Sequence, residues 1–483
     1  MPQWSRGQVK TNTGPDSGTG SLDHSTTRPL SASEVNRGLR VSIVEGGFAM
    51  LYATLGGGMF LTGLALWLGA NSFQIALLSA IPSLVTGFGF LSGYLVRRAG
   101  SRKGLLIWTA GIGRSVFIVL VPFLLLRMKV SLVLFFATVA VSSLIMTIAG
   151  TVWQAWITDL VPEERRGRFF GLRNAIHSIL GVTTAYGAGR GMDMLKAQGH
   201  EPLGYALAFG LAIIFGLVST LLLLRQPEPE LAPRPRLSLR DTFLGPLKEP
   251  QFSKLTLFLA VWFVTGTLAS PFYIVHMMKN LHFSFAAIGV YSMIGGVTGM
   301  VMQLFWGRAI DRFGARPVTV LNFALVGLMP LLWLFATPSF RLPIWGDALM
   351  NGLVWSGASL GLWNLLLELA DDPTHRESYF AIYSAVTGLG AFAASMLSGV
   401  IAQSRHGFHV TIAGQAFINY HVMFLAAGLL RFVTLPLLLR VHERDSKSVP
   451  HTMRALGTMA LWQLNAGKDS VLAALGLRPK DEP

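Results

Sequence analysis

Residues 93–103 read GYLVRRAGSRK, and residues 307–317 read GRAIDRFGARP. The shared pattern is G-x-x-x-[D/R]-R-x-G-x-R, with the second copy 214 residues after the first. A further echo has nearly the same offset. Pro162, Arg165 and Phe169 in PEERRGRF recur as Pro373, Arg376 and Phe380 in PTHRESYF, 211 residues on. Two independent matches at one offset argue that the chain is a duplication.

Outward from these loops the sequence is apolar. The hydrophobic set is 52% of the 483 residues and charged residues only 13%, about half the ~25% usual in soluble domains. Mean hydropathy is +0.52. A soluble protein of this composition would expose more apolar surface than water tolerates. A bilayer-crossing helix needs about 20 mostly apolar residues. Twelve stretches qualify: 41–69, 72–96, 104–126, 130–158, 168–192, 203–224, 252–279, 284–306, 317–337, 343–370, 378–403 and 412–440. The expected fold is an all-α polytopic membrane protein, with six-helix bundles at 39–224 and 251–440. Residues 1–38, rich in Ser, Thr and Gly, predict a disordered tail. Residues 225–250 are Pro-rich and charged, which predicts a linker. In the tail 441–483, Met453, Leu456, Met459 and Leu464 fall at helical spacing, as in a short amphipathic helix on a membrane surface; a partly ordered tail is the alternative.

The net charge of +15 could indicate nucleic acid or a membrane surface. Its placement decides. With the N-terminus inside, the loops on that side carry Arg97, Arg98, Arg102, Lys103, Arg165, Arg166, Arg168, Arg308, Arg312 and Arg316, besides the basic linker. The other side has only Arg127, Lys129, Lys196, Lys279, Arg341 and Arg405. This is the positive-inside asymmetry. It predicts both termini in the cytoplasm, a plasma (inner) membrane location, membrane lipid as partner and no nucleic-acid partner. There are no cysteines, hence no disulfides, thiolate metal sites or cysteine nucleophiles. HExxH, GxSxG and GxxxxGK[ST] are all missing, which argues against an enzyme or an ATP-driven pump; no cofactor or metal is expected.

Over residues 40–440 the chain resembles the major facilitator superfamily, on the twelve spans, the central linker and the loop signature G-x-x-x-D-R-x-G-R-R in both halves. WQAWITDLVPEERRGRFFGLRN (153–174) is similar to that family's junction between the fourth and fifth spans. The resemblance implies a monomeric secondary transporter of a small organic solute, working by alternating access, with protons as one option for coupling. A transporter-like receptor or assembly factor is the alternative. The resemblance also assigns gating to Gly93, Arg97, Arg98, Gly100 and Arg102, and to Gly307, Asp311, Arg312, Gly314 and Arg316. Glycines permit the tight turn, and an aspartate there can accept from the bare N–H groups of a neighbouring helix start. In the family this contact locks the outward-facing state; Asp311 facing Gly167 and Arg168 fits it. The first copy has Arg97 in the aspartate position. A charge-swapped latch to the acidic loop Glu368, Asp371, Asp372 and Glu377 is one reading, and a plain positive-inside residue the other.

Ionisable residues inside a bilayer are costly and need partners. Glu45 lies about one turn into the first span, and Arg173 and His177 one to two turns into the fifth. The family makes those helices neighbours, which suggests a Glu45–Arg173 pair at a gate: a proton-coupling group or a permanently ionised tie. Arg114, roughly 15 Å into the third span, is expected against the second or fourth helix. Arg431 is expected to snorkel to the cytoplasmic surface, Arg190 and Asp193 to pair locally, and Asp347 to lie near a surface. Cavity candidates on the family's central helices are Tyr52, Gln154, Trp262, Thr265 and His276, then Gln303, Asn351, Trp355, Asn364 and Tyr383. Aromatics with a few amides suit a moderately apolar or amphiphilic solute; interfacial belts use the same residues. Gly56, Gly57 and Gly58 interrupt the first span. No proline occurs between Pro162 and Pro202, so the fifth span lacks the family's Gly-Pro antiporter motif.

Overall fold

Ser31 and Glu34 start the first helix with reciprocal contacts. The Ser31 amide donates to Glu34 Oε2 (2.8 Å), and the Glu34 amide donates to Ser31 Oγ (3.3 Å). This box moves the helix start to Ala32, inside the tail expected to be disordered. The computed structural model describes residues 30–89, 95, 96, 98, 101–228, 245–370, 376–412, 415–443 and 446–458. Among these the chain forms twelve helical spans. The first half holds Ala32–Trp67, a second span beginning Ser72–Gly87, Arg102–Leu125, Leu132–Leu160, Arg166–Ala197 and Glu201–Leu223. The second half holds Pro250–Lys279, Phe285–Phe313, Ala315–Phe335, Leu342–Leu369, Arg376–Ser404 and Asn419–Leu439.

Nine helices among the described residues cross a membrane by length and apolarity alone. Ser72–Gly87 is shorter, while the fifth span (Arg166–Ala197) and the tenth (Leu342–Leu369) have the length without the sustained apolarity. Those two carry charged, amide and hydroxyl groups, as expected of helices that face a cleft rather than lipid.

The twelfth span starts later than expected. Two short strands pair antiparallel, β1 (His409–Ile412) with β2 (Gln415–Ile418), in register His409↔Ile418. Their β-branched and aromatic residues suit a pleated ladder, and the helix begins only at Asn419. Two spans break at matching places. The first stops at Gly56 and resumes at Gly58, whose φ of +49° is the left-handed region open to glycine. The seventh stops at Gly266, passes a 3₁₀ turn at Ser270–Phe272 containing Pro271, and resumes at Tyr273.

The halves meet through the second span on the eleventh and the fifth on the eighth. Without a hydrophobic drive inside lipid, such contacts depend on close backbone approach. A Cβ on Gly388 would stand 2.6 Å from Gly87 Cα, and one on Gly189 would stand 2.8 Å from the Phe285 carbonyl carbon. The core is divided unevenly between the two ends. At the end away from the basic loops, one cluster joins Phe60, Leu64 and Phe209 of the first half to Phe272, Val275, Phe285 and Phe424 of the second. At the basic end each half has its own: Leu106, Trp156, Ile157 and Phe169 in the first, and Leu255, Phe258, Val354 and Leu365 in the second. Among the described residues the bundles share a core at one end only.

The helix expected in the C-terminal tail covers residues 449–458. It rests on protein instead of lying free on a surface: Leu456 packs with Trp306, Ala309, Phe313 and Val318, and the Lys447 amide donates to the Phe313 carbonyl (2.8 Å). Met453 is exposed; Met459 and Leu464 lie outside the described residues.

Candidate functional site

At the basic end, the two loop motifs are held by the segments that leave the sixth and twelfth spans. Glu228 accepts from the Lys103 amide (3.0 Å) and the Ser101 hydroxyl (3.3 Å). Glu443 accepts from the Ala315 (2.6 Å) and Arg316 (2.7 Å) amides. Each carboxylate therefore covers the bare N–H groups at the start of its half's third helix. Gly314, at φ +97°, makes the turn. Arg102 is buried against Asp159 at 2.5 Å, and Arg316 donates to the Leu439 carbonyl (2.7 Å). Asp311 and Arg312 are exposed, and the hydrogen bonds and ion pairs among the described residues include none from Asp311 to Gly167 or Arg168, so the expected latch is not formed here. Gly307 has open space around its Cα, and Arg98 is exposed. Gly93, Arg97, Gly100, Asp371 and Asp372 lie outside the described residues, and with them the charge-swapped latch.

At the other end a cross-half contact is closed. Asp193, near the end of the fifth span, accepts from the Phe285 (2.8 Å) and Ala286 (2.9 Å) amides that start the eighth. Ser284 Oγ accepts from the Ala287 amide (3.1 Å) and completes the cap. The expected local Arg190–Asp193 pair is replaced by this contact, and Arg190 is exposed.

The charges inside the first half gather where its first, third and sixth spans meet. Glu45 is 2% exposed and Arg114 6%. Arg114 Nη2 lies 3.7 Å from Glu45 Oε1, and Arg114 Nη1 donates to Thr220 Oγ1 (2.9 Å) and the Gly216 carbonyl (3.2 Å). Ser219 Oγ donates to Glu45 Oε1 (2.6 Å), and the guanidinium stands 5.8 Å over the Tyr52 ring. Arg114 thus packs on the sixth and first spans, not on the second or fourth. It also takes the place expected of Arg173, which instead stacks 4.4 Å over Trp153. Gly46 makes room for Arg173 and His177, since a Cβ there would overlap both. His177 Nε2 lies 3.3 Å from the Ile43 carbonyl.

The second half holds a cavity of about 260 Å³ beside the break in its seventh span. Trp262, Asn351 and Trp355 line it, as expected, together with Tyr273, Tyr291, Asp347 and Arg431. Arg431 does not snorkel: it is 5% exposed, donates to the Gly266 (2.6 Å) and Val326 (2.9 Å) carbonyls, and stands 5.6 Å over Trp262. The Gly266 carbonyl is freed by the helix break, and Arg431 satisfies it. Asp347 is also no surface residue; it is 2% exposed and accepts from the Tyr291 hydroxyl (2.6 Å).

The other cavity candidates point elsewhere. Thr265 Oγ1 donates back to the Val261 carbonyl (2.9 Å), and Asn364 to the Leu360 carbonyl (2.8 Å). Gln154 and Gln303 are exposed, Tyr52 lies under Arg114, and Tyr383 packs against the core of its half. His276 sits in an aromatic cluster with Trp333, Tyr420, His421 and Phe424 and does not itself line the cavity.

The sequence profile of the Major Facilitator Superfamily matches residues 46–270 and again 255–475. The chain belongs to the Major Facilitator Superfamily. No curated protein matches it by sequence. Among solved structures it is similar to a point mutant of the nucleoside transporter NupG (11% identity, TM-score 0.64, covering 85% of this chain and 100% of that one). It is also similar to a bacterial homologue of the iron transporter ferroportin in an inward-facing state (13%, TM-score 0.60, 86% and 100%). A third is a bacterial homologue of the human lysosomal transporter Spinster, inward-facing and unoccupied (15%, TM-score 0.57, 85% and 95%). At these identities the likeness is one of fold. The chain is a membrane transporter of this superfamily and not an enzyme.

Within that superfamily fold, sequence reasoning missed four groups. Asp347 and Arg431 lie near span ends in the sequence, which points to a surface, although an interrupted span in each half is the better pointer to a site. The interruption TGTLASP (265–271) was as visible as Gly56–Gly58. Glu228 and Glu443 end RQPE (225–228) and RVHE (440–443), a third echo at an offset of 215.

Proposed function

We propose that this chain is a secondary transporter of a small amphiphilic solute, cycling by alternating access around the cavity beside the seventh-span break. The observation that carries the reading is the single core shared by both halves at one end, against separate cores at the other. Such an arrangement suits a cleft that opens towards the basic loops. By the positive-inside rule that end is cytoplasmic, with both termini there and the plasma membrane as the site. Asp193 then locks the outer end, and Asp311 is the carboxylate for the reciprocal contact when the inner end closes. Both act on the same helix pair, the fifth and eighth spans, each covering the other helix's first amides. The transporter acts as a monomer, since both halves of the cleft lie in one chain.

Glu45 is held by Arg114 and Ser219, an arrangement that suits tying three spans together more than carrying a proton. Arg173 and His177, facing Gly46, belong to the inner gate. The reading is tested with spin labels on the cysteine-free background. One pair is placed at Ile179 and Val301 towards the inner end, and another at Met194 and His282 towards the outer end. A transporter gives two exchanging distance populations, with opposite changes at the two ends. A receptor that no longer cycles gives one population at each.

A further inference from the structure

The cavity beside the seventh-span break holds two opposite charges that are not in direct contact. Asp347 and Arg431 both line it, yet the ion pairs among the described residues do not include one between them. Asp347 is hydrogen-bonded by the neutral Tyr291, with the Trp333 side chain beside it, and Arg431 donates to two backbone carbonyls, with the Tyr273 side chain beside its guanidinium. A buried carboxylate and a buried guanidinium each carry a large desolvation cost that neutral partners offset only in part. Arg431 keeps a buried Nε with no hydrogen-bond partner, one of the five donors a guanidinium carries. Side chains this close to one small cavity could have met as a salt bridge; held apart, they present a positive and a negative wall.

Aromatic rings complete the lining: Trp262, Tyr273 and Trp355. At about 260 Å³ the space is below the ~300 Å³ low end of drug-sized pockets. It equals roughly nine waters at ~30 Å³ each, room for a solute of about a dozen non-hydrogen atoms. We infer that the cavity takes a zwitterion with an apolar or aromatic body, an α-amino acid being the simplest example: its ammonium on Asp347, its carboxylate on Arg431 and its side chain among the rings. This rests on the transport cavity proposed above and assigns it a substrate class. A single-charge ligand would leave one of the two walls facing an uncompensated buried charge.

The test uses the purified full chain and four probes: L-phenylalanine, L-leucine, phenethylamine (no carboxylate) and 3-phenylpropionate (no ammonium). Ligand-dependent rise of the melting temperature is followed over concentration. The inference expects saturable shifts with the amino acids and at least tenfold weaker half-saturation for either single-charge analogue. Asp347→Asn and Arg431→Gln should each abolish the preference for the zwitterion; because these variants could fail to fold, the analogue comparison on the unmodified chain stands alone as a second measurement. Equal half-saturation for a single-charge analogue, or no shift with either amino acid, overturns the inference. A Ser270→Cys variant separates this from failure of the cavity itself. Labelling by N-ethylmaleimide that L-phenylalanine suppresses supports both. Labelling without protection leaves the cavity reading and removes the zwitterion, and absence of labelling removes the cavity reading.

Discussion

Replacing Asp193 by alanine removes the only carboxylate that bridges the two halves at the end with the shared core, among the described residues. Two amides at the start of the eighth span, those of Phe285 and Ala286, lose acceptors at 2.8 and 2.9 Å. Loss of a helix cap costs typically ~1 kcal/mol, and an anion beside a helix N-terminus adds about 0.3–1 kcal/mol, more when partly buried. The sum is about 2 kcal/mol. All of it falls on the state in which this end is closed, because the contact cannot exist once the fifth and eighth spans part there. At 1.4 kcal/mol per factor of ten, the open-to-closed ratio rises about 30-fold. An end closed about 99% of the time would then be closed about three-quarters of it. Asparagine, a good neutral cap, should lose only the charge contribution and give a shift of about two- to fivefold. The spin-label pair at Met194 and His282 reads the ratio directly. The order Asp, Asn, Ala in outer-end closure is expected. If alanine leaves the distance distribution unchanged while lowering the melting temperature, Asp193 is a local cap and no lock, and the reasoning fails.

Three further outcomes follow from the same geometry. Glu443→Gln should lower stability by about 1–2 kcal/mol through its two amide contacts, read as an earlier melting transition; an unchanged melting point would show the C-terminal segment to be idle. Arg114→Leu or Glu45→Leu alone leaves an unpaired buried charge and should cost about 3–5 kcal/mol, whereas the double variant should recover most of it; additive losses in that cycle would mean the two side chains do not act as a pair. Glu45→Gln should keep whatever pH dependence the exchange between the two spin-label populations shows, because Glu45 is a tie between spans; loss of that dependence would make it the coupling group.

Most of the architecture was legible because a bilayer demands long apolar helices and the duplication repeats its loops. Span ends were less so: the strand pair His409–Ile412 and Gln415–Ile418 was absorbed into an apolar run, although its alternation and β-branched residues carry a strand signal. Partnerships between buried charges were the hardest to read. The cost of Arg114 or Arg431 in hydrocarbon can be recognised from sequence position, but which carbonyl or carboxylate meets it is set by packing. Thr220 lies 106 residues from Arg114, and Gly266 lies 165 from Arg431. Asp193 looked like half of a local pair with Arg190 because its real partners start another helix 92 residues away. Trp262, Asn351 and Trp355, which line the cavity, lie on the family's central helices, whereas Asp347 and Arg431 beside them are hidden when depth along a span is taken as depth in the membrane.

In the proposed cycle the resting transporter opens its cavity towards the basic loops and closes it at the other end. A single cysteine at Thr267, which lines the cavity, tests this with a membrane-impermeant maleimide applied to vesicles of either orientation. Labelling is expected from the face that carries the basic loops and not from the opposite face. Labelling from the opposite face alone, or equally from both, would contradict it.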